Sequence, residues 1–203
     1  MDLYVNYHEL TQHEQEGKDY VICFREGAND SIALMAPHGG GIEPGTIEVA
    51  DAVARDLFAF YAFKGIKMSG NRVLHITSNR FDEPIGLRIA AQADLVMTLH
   101  GYHGADEMVY IGGKNMRMME TIRDHLIEGG FHARISFQQG LRAISPHNLC
   151  NRCKSGKGVQ LEISRGLREK MFENLRRRSF RSRTRLFYQF TDTLFRAMNE
   201  TSL

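Results

Sequence analysis

Residues 32–46 read IALMAPHGGGIEPGT, an apolar run that leads directly into a histidine, three glycines and a glutamate. The run has the length and composition of a buried β-strand. The glycines after His38 allow a backbone path closed to β-branched residues, and Pro44 keeps Glu43 out of helical geometry. We therefore expect the Glu43 carboxylate to turn back towards His38, and zinc binds both side-chain types. An HGGG loop can also form the oxyanion hole of an esterase, but the chain lacks a GxSxG nucleophile motif.

Strands and helices alternate along the rest of the chain. Apolar and β-branched runs predict strands at 21–24, 32–36, 73–77, 95–99, 108–111, 133–137 and 159–164. Apolar residues at helical spacing predict helices at 46–63, 84–93, 115–128 and 184–198. The alternation predicts a single α/β domain over residues 1–203, with a mixed, mostly parallel sheet flanked by helices on both faces.

Composition excludes several classes of protein. Hydrophobic residues make up 42% and charged residues 25% of the 203 positions, which is ordinary globular usage. Every apolar run is far shorter than the roughly 20 residues of a membrane span, so we expect no membrane association. The first residues show no secretory signal, and three cysteines are too few for a disulfide framework. We expect a cytoplasmic protein, released on host lysis if it is encoded by a phage.

A second strand also ends at a histidine. In ADLVMTLHGYHG, residues 93–104, His100 closes the apolar run and His103 follows three positions later. Open α/β sheets bind ligands beyond the carboxyl ends of their strands. His100 is the better third metal ligand because it is held directly by the strand, and His103 is the alternative.

The last predicted strand carries a carboxylate on a polar face. In GKGVQLEIS, residues 156–164, the polar side chains of Gln160, Glu162 and Ser164 share one face. Such a face is typical of an edge strand or of a catalytic cleft. Beside a metal site, Glu162 is the candidate general base for a metal-bound water.

Basic residues are concentrated near the C-terminal end. Positions 165–185 hold nine basic and two acidic residues, although the net charge of the chain is only +2. The basic residues are Arg165, Arg168, Lys170, Arg176, Arg177, Arg178, Arg181, Arg183 and Arg185. The cluster is either a solvated helix face or a surface for a polyanion, since arginine binds carboxylates and phosphates with a fixed fork. Nucleic acid is disfavoured because only Phe172 and Phe180 could stack on bases.

The His/Glu pattern resembles the zinc carboxypeptidases. TLHGYHG is similar to their S-I-H-S-Y segment, which implies that His100 is a zinc ligand and that Tyr102, with His103 beside it, faces the substrate. GVQLEIS resembles the segment that carries their catalytic glutamate. SNRFDEP, residues 78–84, resembles their Asn-Arg pair and implies that Asn79 and Arg80 bind a substrate carboxylate. Four residues separate His38 from Glu43 here, whereas that family has two, and this chain is much shorter.

A closer resemblance accounts for that spacing. APHGGGIEPGT, LHGYHG and GKGVQLEISRGLR together resemble the phage and Bacillus poly-γ-glutamate hydrolases, a compact, zinc-carboxypeptidase-like family sometimes labelled phage-related replication proteins. The resemblance covers about residues 15–195. It implies a zinc-dependent hydrolase that cleaves γ-glutamyl amide bonds, with Zn²⁺ held by His38, Glu43 and His100.

Two further expectations concern the basic residues and the cysteines. We expect Arg165 and Arg168 to contact distal carboxylates of the polymer, and the arginines from Arg176 onward to lie too far away. Cys150 and Cys153 form a lone C-x-x-C, which we interpret as incidental or weakly redox-active. The alternative functions are a nucleic-acid-binding phage accessory protein and a deacylase of small N-acyl amino acids.

Overall fold

The structure, a computed structural model, describes residues 2–200 and is built on a seven-stranded sheet. The strands are β1 (Tyr20–Arg25), β2 (Asn29–Gly40), β3 (Phe58–Gly65), β4 (Leu95–Tyr102), β5 (Met108–Gly113), β6 (His132–Ile135) and β7 (Val159–Ser164). Their order across the sheet is β1-β3-β2-β4-β7-β5-β6. Strands β3, β2, β4 and β7 are parallel, β1 is antiparallel to β3, and β5 is antiparallel to β7 and parallel to β6. The mixed, mostly parallel sheet is confirmed.

Helices cover both faces of this sheet. They are α1 (Tyr7–Leu10), α2 (Thr46–Ala54), α3 (Pro84–Gln92), α4 (Met116–Glu128), α5 (Arg165–Met171) and α6 (Arg185–Glu200). Short 3₁₀ turns lie at Asn71–Leu74, Leu149–Arg152 and Arg178–Phe180. Two antiparallel strands of two residues each, β8 (Phe172–Glu173) and β9 (Ser182–Arg183), form a separate small sheet.

Two apolar cores lie on either side of the sheet. Alternate residues of β2 enter opposite cores, Leu34 on one face and Met35 on the other, as the period of two in a strand requires. The Leu34 core is closed by α2, α4 and α6, and the Met35 core by α1 and α3. No helix within residues 2–200 has the length and apolarity that crossing a bilayer requires.

Two predicted elements are wrong. The helix predicted over 46–63 ends at Ala54, where Arg55 adopts a positive φ of 52°, and the aromatic segment that follows is strand β3. The strand predicted over 73–77 is a 3₁₀ turn followed by a loop, because β3 already occupies the place beside β2 and the Thr77 amide donates to the Asp2 carboxylate.

Candidate active site

The candidate site lies where β2, β4 and β7 end side by side. His38 stands near the end of β2, His100 near the end of β4, and Glu162 directly opposite His100 on β7. Both imidazoles are buried, with 2% and 3% of their surface exposed. Since β7 lies between β4 and β5, it is an interior strand and not an edge strand. Its polar face is therefore that of a cleft.

The glycine turn after β2 returns Glu43 to the two histidines. The Glu43 amide donates to the His38 carbonyl at 2.8 Å, and Gly40 adopts the positive φ of 69° that the turn needs. Glu43 Oε1 lies 3.5 Å from His38 Nδ1, and Glu43 Oε2 lies 3.8 Å from His100 Nδ1. The Gly101 amide also donates to Oε2, at 2.8 Å. The expected return of Glu43 towards His38 is therefore present.

Hydrogen bonds leave metal-binding lone pairs directed into the cluster. His38 Nε2 donates to the Ile76 carbonyl at 2.7 Å, so the neutral ring, the form that binds a metal, carries its lone pair on Nδ1, and that atom lies 3.1 Å from His100 Nδ1. The other ring nitrogen of His100 is buried without a hydrogen-bond partner. Burial and the nearby His38 lower the pKa of His100 to about 3, so its imidazole is neutral at pH 7.

Sequence reasoning missed His75, which joins this cluster. Its Nδ1 lies 2.8 Å from Asp2 Oδ1, while its Nε2 lies 4.0 Å from Glu43 Oε1. His38, Glu43 and His75 form a compact group of atoms able to hold a metal ion. A carboxylate behind a histidine is the usual support of a metal ligand. In the sequence, His75 is marked only as a histidine just before the Asn79 loop, within the segment predicted as a strand over 73–77.

The donor atoms fit a zinc ion. Two ligand atoms bound at 2.0–2.1 Å to one tetrahedral zinc ion lie roughly 3.3 Å apart. The two imidazole Nδ1 atoms lie 3.1 Å apart, and the Glu43 carboxylate approaches His38 with Oε1 at 3.5 Å and His100 with Oε2 at 3.8 Å. Burial opposes ionisation of Glu43, but the His38 charge and hydrogen bonding lower the Glu43 pKa to about 2, so the carboxylate is anionic as a ligand must be.

Glu162 is held at the edge of the same cluster. Its Oε1 accepts a hydrogen bond from Gln160 Nε2 at 2.9 Å, and Gln160 Oε1 accepts one from Asn148 Nδ2 at 3.0 Å. Burial, with the Glu43 charge, raises the pKa of Glu162 to about 8 against the opposing effects of Gln160 and Arg168. A carboxyl group with such a pKa can exchange a proton near neutral pH.

A groove of about 1770 Å³ opens above these residues. Four of the substrate-binding candidates line it with their side chains available, namely Asn79, Tyr102, His103 and Arg165. Arg80 lies outside the groove lining and pairs with Asp2 at 3.2 Å.

Arg168 is buried beneath the groove. Its guanidinium donates to the carbonyls of Ile163, Pro44 and Tyr102, at 2.8–3.1 Å. These bonds tie the Glu43 loop to the ends of β4 and β7.

The expectation that the later arginines are remote is wrong for four of them. The groove wall includes Arg176, Arg177, Arg178 and Arg181. The chain after α5 folds back over the end of β3, where Arg178 donates to the Gly65 and Ile66 carbonyls at 3.0 Å. Arg183 and Arg185 lie outside the groove lining.

Buried histidine and glutamate donors at adjacent strand ends, beside a carboxyl group of raised pKa, are typical of a metallohydrolase. Comparison with known proteins shows to which family of hydrolases the chain belongs. The chain belongs to the poly-γ-glutamate hydrolase family, whose model matches residues 4–193, and it is a hydrolase.

Individual relatives of known sequence and structure support this family assignment. The chain is 35% identical to the protein YndL of Bacillus subtilis (strain 168) over an alignment 203 positions long, which covers 98% of this chain and 79% of YndL. It is 32% identical to a bacteriophage poly-γ-glutamate hydrolase of known structure, with a TM-score of 0.93 and coverage of 100% and 99% of the two chains. A zinc-free structure of YndL is 34% identical, with a TM-score of 0.93 and complete coverage of both chains.

Proposed function

We propose that this protein hydrolyses the γ-glutamyl amide bonds of poly-γ-glutamate, with a zinc ion bound by His38, Glu43 and His100. The observation that carries the proposal is the pair of imidazole Nδ1 atoms 3.1 Å apart, with the Glu43 carboxylate beside both. Catalytic zinc sites use three protein ligands and leave a fourth position open. His75, backed by Asp2, then supports the cluster from the side, in contact with the His38 ring.

The chemistry divides between the metal and Glu162. A zinc ion at this position supplies Lewis acidity that activates water and polarises the amide carbonyl. Glu162 takes a proton from the attacking water and delivers it to the leaving nitrogen, so that the products are a γ-carboxylate and a free α-amine. Gln160 occupies Oε1 of Glu162, which leaves Oε2 for the proton transfer.

The remaining candidates bind the substrate in this proposal. Asn79 and Arg80 contact the α-carboxylate beside the scissile bond, and Arg80 has donors left besides the one on Asp2. Tyr102 and His103, whose rings are 4.6 Å apart, face the substrate at the end of β4. Arg165 reaches a more distant carboxylate. The sequence predicts the same role for Arg168, but its guanidinium is buried and already donates to three carbonyls, so we assign it instead to holding the Glu43 loop.

The test is hydrolysis of long poly-γ-glutamate, measured as newly formed amino groups. We expect the activity to vanish when a chelator strips the protein of metal and to return with zinc. Glu162→Gln keeps the zinc and the fold but loses turnover by roughly 10²–10⁴-fold, the usual contribution of a general base. Glu120→Gln is the matched control, because Glu120 is exposed on α4 away from the groove. Full activity without metal, or near-normal turnover of Glu162→Gln, would contradict the proposal.

A further inference from the structure

The groove has a strongly uneven charge. Its carboxylates belong to Asp2, Glu43 and Glu162, and all three lie within the site already described. Its lysine and arginine residues are Lys67, Arg72, Arg142, Arg165, Arg168, Arg176, Arg177, Arg178 and Arg181. Away from the catalytic cluster, the lining holds no carboxylate, although Lys67, Arg165 and Arg181 pair with carboxylates outside it.

Several of these arginines already have structural roles. Arg178 donates to the carbonyls that follow β3, and Arg181 donates to the Leu175 carbonyl and pairs with Glu48. Arg178 and Arg181 fasten the second half of segment 175–181 to the body of the protein, and Leu175 at its start is buried. Arg176 and Arg177 lie between Leu175 and Arg178 and are thus presented from a fixed backbone.

Four arginines of the wall have no ion pair and no side-chain hydrogen bond within residues 2–200. They are Arg72, Arg142, Arg176 and Arg177, and all four are exposed. Unpaired cations gathered along one concave surface repel one another and attract a ligand of opposite charge.

Their positions bracket the catalytic residues. Arg72 follows β3, and the segment of Arg176 and Arg177 is fastened to the end of β3. Arg142 lies on the other side, where its carbonyl accepts a hydrogen bond from Gly113 of β5. Because β2, β4 and β7 lie between β3 and β5, the four arginines flank the site.

Apolar side chains stand beside these arginines. Met68 is fully exposed and Phe180 is 70% exposed on the wall near β3, and Ile144 is 48% exposed near Arg142. Each residue of poly-γ-glutamate contributes one carboxylate and two backbone methylene groups. A wall that carries both guanidinium groups and apolar side chains is complementary to both parts of that repeat.

We propose that Arg72, Arg176 and Arg177 on one side of the site, and Arg142 on the other, bind carboxylates of the polymer distant from the scissile bond. These subsites give the enzyme its preference for long chains over short ones. The proposal rests on the proposed function, since it takes the γ-linked polymer as the substrate. The groove also exceeds the 300–1000 Å³ typical of a pocket for one small molecule.

The test compares two double variants that remove the same charge. Arg176→Gln with Arg177→Gln changes the groove, and Arg117→Gln with Arg185→Gln changes two exposed arginines outside its lining. Steady-state kinetics are measured on long poly-γ-glutamate and on a γ-linked glutamate trimer. An exposed ion pair changes affinity by roughly 2- to 5-fold, so we expect KM for the polymer to rise about 4- to 25-fold in the groove variant. We expect kcat and the trimer kinetics to stay unchanged, and the control to match the wild type.

Salt and direct binding complete the test. Raising the salt concentration should increase KM for the polymer in the wild type and much less in the groove variant, because exposed charges are screened within about 10 Å at 0.1 M. Binding of fluorescent poly-γ-glutamate to the zinc-free protein tests the subsites even if no hydrolysis occurs. Equal polymer binding by the groove variant and the wild type would overturn the proposal, as would equal losses in the control. Tighter binding of single-stranded DNA through Arg176 and Arg177 would also overturn it.

Discussion

Glu162 shows how a residue's surroundings set its chemistry. Glu162 lies on β7 at the floor of the groove, and burial of its carboxyl group, together with the nearby Glu43 charge, raises its pKa to about 8. The Gln160–Asn148 hydrogen bonds fix its orientation without neutralising it. A carboxyl group that is protonated when folded and ionised when unfolded makes stability depend on pH.

The sign of that dependence is testable in the zinc-free protein. Between the unfolded pKa of 4.5 and the folded pKa of about 8, the folded state binds one more proton, so stability falls as pH rises. Glu162→Gln removes this penalty. From pH 5.5 to pH 7.5 we expect the variant to gain stability over the wild type by on the order of 2 kcal/mol, at about 1.4 kcal/mol per pH unit. Urea unfolding at the two pH values measures the gain, and a difference that does not change with pH would contradict the raised pKa.

Several site residues could be predicted from the sequence, and others could not. His38, His100 and Glu162 each stand in or at the end of an apolar strand, so the strand pattern alone brought them together at one edge of the sheet. His75 and Asp2 come from a loop and from near the start of the chain, where no periodicity marks a position. Their contact joins residues 73 positions apart and depends on tertiary packing.

At the scale of the element, α5 and the Glu43 loop depend on one arginine. The Arg168 side chain lies across the end of β4, and a Cβ on Gly101 would come within 2.8 Å of its guanidinium. Its three carbonyl acceptors belong to three separate segments of the chain. Arg168 therefore connects β7, β4 and the loop that carries Glu43, a proposed metal ligand.

Replacing Arg168 should consequently affect the fold more than the affinity for polymer. Arg168→Ala leaves three carbonyls without their donor, and hydrogen bonds to charged groups contribute about 1.5–3 kcal/mol each, without adding fully. We expect a loss of about 2–4 kcal/mol in urea unfolding and weaker zinc binding. Arg165→Ala is the control, because Arg165 is half-exposed and pairs only with Glu169. This variant should lose less than about 0.5 kcal/mol of stability. Equal stability of the two variants would refute this role.

Element boundaries were hardest to predict where apolar residues are dense. The segment after Ala54 is as apolar as the helix before it, so the sequence pattern predicts a helix through Phe58–Phe63. These residues instead form β3, an interior strand of the sheet. The break is made by Arg55, whose positive φ has no signature in the sequence. The strand predicted over 73–77 does not form. There the Thr77 amide donates to the distant Asp2 carboxylate and not to a neighbouring strand.

For the whole molecule, the charge cluster was visible in the sequence but its location was not. Composition placed nine basic residues in 165–185, and the structure divides them into structural anchors, groove residues and residues outside the groove. That division follows from the chain folding back over the end of β3, a contact between Arg178 and Gly65 that spans 113 positions. Local patterns cannot predict such a contact.

We propose that a catalytic zinc ion is bound by His38, Glu43 and His100 at the ends of strands β2 and β4. Zinc content per chain, measured on the wild type and on the variants His100→Ala, His75→Ala and His103→Ala, tests it most directly. We expect one zinc ion in the wild type, none in His100→Ala, a full complement in His103→Ala, and weakened but measurable binding in His75→Ala. Stoichiometric zinc in His100→Ala, together with its loss in His75→Ala or His103→Ala, would contradict the ligand assignment.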